Sequence, residues 1–213
     1  MTIPSVLRLA EHKALSRVVL MGKVLDLGGT RHAEYRAFLQ GTFDITTVNM
    51  DESASPDLVA DLEKPIPYPD GSYDHVLLIN VLEHIFEYRQ LLSEAVRIVR
   101  PGGSVIIIVP FLFPIHPDPH DFWRFSRETL EKECERAGLS ITTATPLGSG
   151  VFGARHLFIN RLLPTPVRLL SHYTFRYLAL LLDALFVMVA RALGKKYEPT
   201  DYALGYAVVA QKK

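Results

Sequence analysis

Short unbroken apolar runs alternate along the chain with segments whose apolar residues recur at helical spacing. The runs at 23–27, 45–50, 58–60, 73–80 and 104–110 read as strands. The last of them, Ser-Val-Ile-Ile-Ile-Val-Pro, is apolar without alternation, as in a strand covered on both faces. Between them, 33–39 reads as a short helix closed by Gly41. Residues 88–99 form a second, with Leu91, Leu92, Ala95, Val96 and Val99 on one face and Pro101-Gly102-Gly103 as its stop. The proline-rich stretch 64–71 is a loop. A helix at 127–137 and strands at 140–144 and 203–211 complete the pattern. Strands separated by helices predict right-handed parallel crossovers and an α/β, doubly wound sheet within a single domain, 1–213.

Two segments depart from that rhythm. Residues 1–21 hold Arg8, Glu11, His12 and Lys13 among apolar neighbours, which suits an N-terminal amphipathic helix rather than a secretory signal. Residues 146–202 are far more than a connection needs and predict a helical insertion, with helices at 151–163 and 174–193. The second helix is apolar nearly all round, so it calls for burial against its own domain, a second subunit, a lipid surface or an oily substrate. Asp183 and Arg176, two turns apart, are expected to share its polar edge. The most apolar part, 177–190, is shorter than the about 20 residues that a spanning helix requires.

Charge and cysteine content narrow the setting. The 23 basic and 23 acidic residues leave no net charge to attract nucleic acid. The lone Cys134 excludes an internal disulfide and suits a reducing, cytoplasmic location, with peripheral membrane contact through the insertion as an alternative.

The chemistry should lie where apolar strands run into polar residues. Val24-Leu25-Asp26-Leu27-Gly28-Gly29-Thr30 ends a first strand in a carboxylate and a tight turn, and open α/β sheets bind nucleotide-like ligands at that edge. Gly28 and Gly29 let backbone N–H groups come close to a ligand carboxylate. Asp51, Asp61, Asn80 and Pro110 fall at the ends of successive strands. Gly-x-Gly-x-x-Gly is absent, which counts against a dinucleotide.

With Val-Ala-Asp61-Leu, Pro69-Asp-Gly-Ser-Tyr-Asp74, Val81-Leu-Glu83-His84 and Arg97-Ile-Val-Arg-Pro101-Gly102-Gly103, this ordered set resembles the class I S-adenosylmethionine-dependent methyltransferases, most of all the small type 11 group. The resemblance covers about 20–145 and the closing strand. It implies a Rossmann-like seven-stranded sheet, mostly parallel with the last strand antiparallel, the helical insertion lying between strands six and seven. It also implies S-adenosylmethionine as cofactor. Asp26 would then accept the cofactor's ammonium, Asp51 or Asn49 its ribose hydroxyls, and Asp61 with Leu62 its adenine, while Asn80 borders the same cleft. Thr30 and His32 stand where the family carries glycines.

The segment 110–125 should overhang the point where a methyl group emerges. Methyl transfer is an in-line displacement in which positioning supplies most of the rate, and a hydroxyl acceptor also needs a base. His116, His120 and His84 are the candidates. A metal site from His116, His120 and Asp121 is not expected, because the intervening prolines prevent helical ligand spacing. Trp123 and its neighbouring phenylalanines serve either an apolar substrate or the core. Two readings follow: methyl transfer, at oxygen, to a small acceptor, with or without a hydrophobic part, such as a sugar, a lipid-linked compound or a secondary metabolite; or a non-catalytic domain of the same fold that binds a partner or a membrane surface through its apolar insertion.

Overall fold

A computed structural model describes residues 4–148 and 150–213. Its strands are β1 Val19–Leu27, β2 Gln40–Asn49, β3 Leu58–Val59, β4 Tyr73–Ile79, β5 Val99–Pro110, β6 Leu139–Leu147 and β7 Gly205–Lys212. They form one sheet in the order β3-β2-β1-β4-β5-β7-β6. β1 pairs in parallel with β2 and β4, β2 with β3, and β4 with β5. Only β7 is reversed, lying antiparallel to both β5 and β6.

Five α-helices accompany the sheet: α1 Val6–Leu15, α2 Tyr88–Ile98, α3 Arg127–Arg136, α4 Val151–Leu162 and α5 Thr165–Ala192. The pleat sends alternate residues to opposite faces. Leu25, Leu27, Val105, Ile107 and Val109 pack with α2 and α3 on one side. Val24, Leu77, Ile106 and Ile108 pack with α1 and α4 on the other. The unbroken apolar run of β5 is therefore covered on both faces, as its sequence predicts. Cys134 is buried on the inner face of α3, and burial pushes its thiol up to about 12, so it is an inert core residue.

Several boundaries differ from expectation. The helix expected at 33–39 is a 3₁₀ turn, Glu34–Phe38. α1 takes over the helical layer there, since Leu7 and Leu15 share a cluster with Leu20, Val24, Tyr35 and Leu39. That helix ends at Leu15, so 19–21 belong to β1 instead of the N-terminal helix. β5 already begins at Val99 and runs through Pro101-Gly102-Gly103, which makes those residues strand and not merely a helix stop.

α4 and α5 lie between β6 and β7. α5 starts at Thr165, not 174, because Pro166 sits in the first turn, where a missing N–H costs nothing. Asp183 does not serve an exposed polar edge. It is buried at 6% exposure and accepts the α4 amides of Phe152 at 3.0 Å and Gly153 at 2.8 Å. The side chain of Arg176, its expected partner, lies outside the described residues. The burial expected for the whole apolar helix is only partial: Leu170, Phe175, Leu181, Leu185, Met188 and Val189 are exposed. Among the described residues, no helix is long and apolar enough to cross a membrane.

Candidate active site

The carboxyl ends of β4 and β5 open onto a cavity of about 410 Å³ lined by Tyr35, Asn80, His84, Phe113 and His116, with Arg8 and Glu11 reaching in from α1. Gly28, at φ +84°, turns the chain off β1. A side chain there would strike Val81, its Cβ lying 2.5 Å from Cγ2. A Cβ on Gly29 would stand 2.1 Å from the Asp26 carboxylate, so that carboxylate packs directly beneath the turn.

Asp26 is fully buried, and its Oδ2 accepts the Tyr35 hydroxyl at 2.5 Å. Its Oδ1 has no partner. Burial raises its carboxyl to about 6, against the Tyr35 hydrogen bond and the more distant Arg36 charge. Asn49, at the end of β2, donates to the Gly28 and Gly29 carbonyls at 3.0 and 3.2 Å and thereby holds the turn. Asp51 is exposed; it accepts from the Ser53 amide at 2.8 Å and the Ser53 hydroxyl at 2.7 Å, and these bonds keep its carboxyl below the usual range. Asp61 is also exposed, bonded to the Glu63 amide at 3.0 Å and paired with Lys64 at 3.2 Å. Leu62 points into the core at 3% exposure, which leaves only its backbone for a ligand.

At the far side, Asn80 adopts a left-handed φ of +51° that Asn tolerates better than most residues. Its Nδ2 donates to Glu11 Oε1 at 3.1 Å, while Arg8 pairs with the other oxygen at 3.1 Å. The contact between Asn80 and Glu11 was not visible in the sequence, because α1 is remote from β4 along the chain.

Glu83 forms the floor of this region. It has no exposed surface, and neither carboxylate oxygen has a hydrogen-bond partner in another residue. Burial drives its carboxyl up to about 8, with Glu11 and Asp121 adding to the rise while its own backbone N–H and Arg124 oppose it. Its main-chain carbonyl accepts the amides of Phe122 and Trp123 at 2.8 and 3.3 Å, which clamps the segment after β5 over the end of β4. Asp121 is gripped by Arg124 and accepts the His116 amide at 2.8 Å. These bonds bring His116 over Glu83. The side chain of His120, in contrast, stacks against Phe122 and does not line the cavity; its carbonyl oxygen accepts His84 Nδ1 at 2.5 Å. Trp123 packs on Tyr88 and donates to the Ile85 carbonyl at 3.1 Å, so it is core beneath the segment. The histidines on either side of Pro119 therefore have different roles, a separation their spacing did not reveal.

Residues 25–107, from β1 to β5, match the family model described as a methyltransferase domain. These residues are thus similar to a methyltransferase domain. A probable S-adenosylmethionine-dependent methyltransferase of Mycolicibacterium smegmatis is 40% identical over 101 residues, covering 43% of this chain and 39% of that protein. A norajmaline N-methyltransferase of Rauvolfia serpentina is 28% identical over 75 residues, 35% of this chain and 26% of that protein. The chain thus matches well under half the length of these curated relatives. Among solved structures, a possible histamine N-methyltransferase of Thermotoga maritima shares the fold at a TM-score of 0.62 and 14% identity, covering 99% of this chain and 90% of that one. A Burkholderia thailandensis N1-methyltransferase, solved with 1,6-didemethyltoxoflavin and S-adenosylhomocysteine, does so at 0.56 and 14%, covering 99% and 79%.

S-adenosylmethionine is the cofactor of such domains, and the methyltransferase domain's own residues fit it. The side-chain-free turn at Gly28 and the unpartnered, buried Oδ1 of Asp26 suit an amino-acid head group. Asp51 and Asp61 keep acceptor capacity at the exposed ends of the next strands.

Proposed function

We propose that the protein transfers a methyl group from S-adenosylmethionine to an oxygen of a small-molecule acceptor. The observation that carries this reading is the cavity at the carboxyl ends of β4 and β5, lined by Tyr35, the hydrogen-bond partner of Asp26, on one side and by His84 and His116 on the other. In this reading Asp26, Asn49 and the glycine turn orient the amino-acid end of the cofactor, Asp51 its ribose, and Asp61 with the Leu62 backbone its adenine. Asn80 fixes the wall between cofactor and acceptor. Bound there, the cofactor supplies an electrophilic methyl carbon. His116, whose ring borders the cavity, is positioned to take the acceptor's proton. His84 supports it from an edge-to-face contact at 5.1 Å. Phe113 adds an apolar wall, which favours an acceptor with a hydrophobic part.

Calorimetry with S-adenosylmethionine and S-adenosylhomocysteine tests the reading. Binding is expected, with Asp61→Ala weakening it at least tenfold. His116→Ala is expected to leave binding intact and to lower turnover of an accepted substrate. Absence of binding at millimolar cofactor would overturn the proposal in favour of a non-catalytic domain that works through its apolar insertion.

A further inference from the structure

We propose that Glu83, His84 and His116 form a binding site for one divalent transition-metal ion beside the cavity. Each offers one ligand atom, and these three atoms lie within 4.8 Å of one another. Glu83 Oε1 stands 3.7 Å from His84 Nε2 and 3.9 Å from His116 Nε2. Those separations are too long for hydrogen bonds. Metal–ligand bonds of about 2.0–2.2 Å place tetrahedral ligand atoms roughly 3.3–3.5 Å apart, so each Glu83–histidine separation is within a few tenths of an ångström of that spacing.

The hydrogen bonds around the cluster favour an ion over mutual pairing. His84 Nδ1 faces a carbonyl, that of His120, at 2.5 Å, and a carbonyl only accepts. Nδ1 therefore carries the proton and Nε2 keeps its lone pair. His116 Nδ1 meets the Pro114 carbonyl at 3.0 Å and Asp121 Oδ2 at 3.3 Å, against a single more distant donor, Arg124 Nη2, at 3.4 Å. The closer acceptors again place the proton on Nδ1. Both imidazoles thus turn a bare Nε2 toward the same carboxylate oxygen. Outer hydrogen bonds from Nδ1 to a carbonyl or carboxylate are how ligating histidines are oriented.

The third ligand is a carboxylate with no exposed surface and no hydrogen-bond partner in another residue. A buried anion left in this state is costly, and a cation between it and the two lone pairs removes the cost. Two histidines and one carboxylate suit zinc, cobalt or iron(II) and leave coordination positions open. Those positions face the cavity, since His84 and His116 both line it. An acceptor oxygen bound there would be acidified by the ion and would lose its proton to solvent, with His116 serving as a metal ligand in place of the base.

Metal binding does not depend on methyl transfer, so the two are tested apart. Metal-free protein is titrated with Co²⁺ and Zn²⁺, followed by the visible absorption of Co²⁺ and by calorimetry, while S-adenosylhomocysteine binding is measured on the same samples. One equivalent is expected to bind, with Co²⁺ bands showing nitrogen ligation. Glu83→Gln and His116→Ala should each weaken binding at least tenfold, while His120→Ala leaves it unchanged. Far-UV circular dichroism checks that the variants are folded. Absence of saturable binding at millimolar metal would overturn the site, as would binding that neither variant weakens. Retained S-adenosylhomocysteine binding in either case would leave the methyltransferase reading standing.

Discussion

Asp26 shows how far a single residue's chemistry depends on where the chain puts it. The sequence marks it as an acid at the end of an apolar strand. The fold buries it completely, with the Tyr35 hydroxyl on one oxygen. Its folded value of about 6 exceeds the ordinary 3.8, so the folded state holds this proton more tightly than the unfolded chain does. Stability contributed by the protonated form is complete below 3.8 and is lost as the pH rises to about 6. Asp26→Asn, which cannot ionise, should therefore gain about 2–3 kcal/mol relative to the parent across that window and no more above it. Urea unfolding at a series of pH values measures the difference; a constant offset would contradict the assignment. Glu83 was legible in part. Glu83-His84 is part of a motif along the chain, yet nothing local announces that the carboxylate is buried without a partner in another residue. The available signal was an acid directly after Val81 and Leu82, in a stretch otherwise destined for the core.

The elements that sequence pattern located best are those whose environment their own composition dictates. β4 and β5 are apolar because both faces are covered, and α2 carries one apolar face because only one side meets the sheet. The short crossover at 33–39 was misjudged as a helix because the residues that cover that face come from α1, at the other end of a long-range contact. α4 is a second instance. Its N-cap residue, Gly150, has no side chain, so Asp183 of α5 takes over the capping of Phe152 and Gly153. Asp183→Ala should destabilise the α4–α5 pair by about 1–2 kcal/mol, the usual worth of a lost cap. Hydrogen exchange at the Phe152 and Gly153 amides reads this directly. Unchanged protection there would mean the capping bonds carry no stability. A polar residue on an apolar helix looks like a solvent edge until the facing helix end is known.

At the scale of the whole molecule, the sheet places every cofactor candidate along one edge, while α5 leaves a large apolar surface exposed. Leu181 and Leu185 are 55% and 46% exposed, and they adjoin Leu178 and Met188 on the same helix. Surfaces of this kind mark contact with an apolar neighbour. Light scattering over a range of concentrations and flotation with liposomes should show self-association or lipid binding. The double variant Leu181→Lys, Leu185→Lys should abolish it and leave S-adenosylhomocysteine binding unchanged. A monomer that ignores liposomes would count against a role for this surface.

By itself the sequence determined the order of strands and helices, the class I fold and the strand ends where a nucleotide-like ligand would sit. Each of these follows from local periodicity and from short motifs whose parts lie close along the chain. Only the tertiary structure decided which polar groups meet. It brought α1 to Asn80, Asp183 to the start of α4, and His116 to Glu83, pairings set by packing between segments far apart in sequence. Local pattern reports whether a side chain belongs inside, whereas the partner it finds there depends on which distant segment the core brings against it.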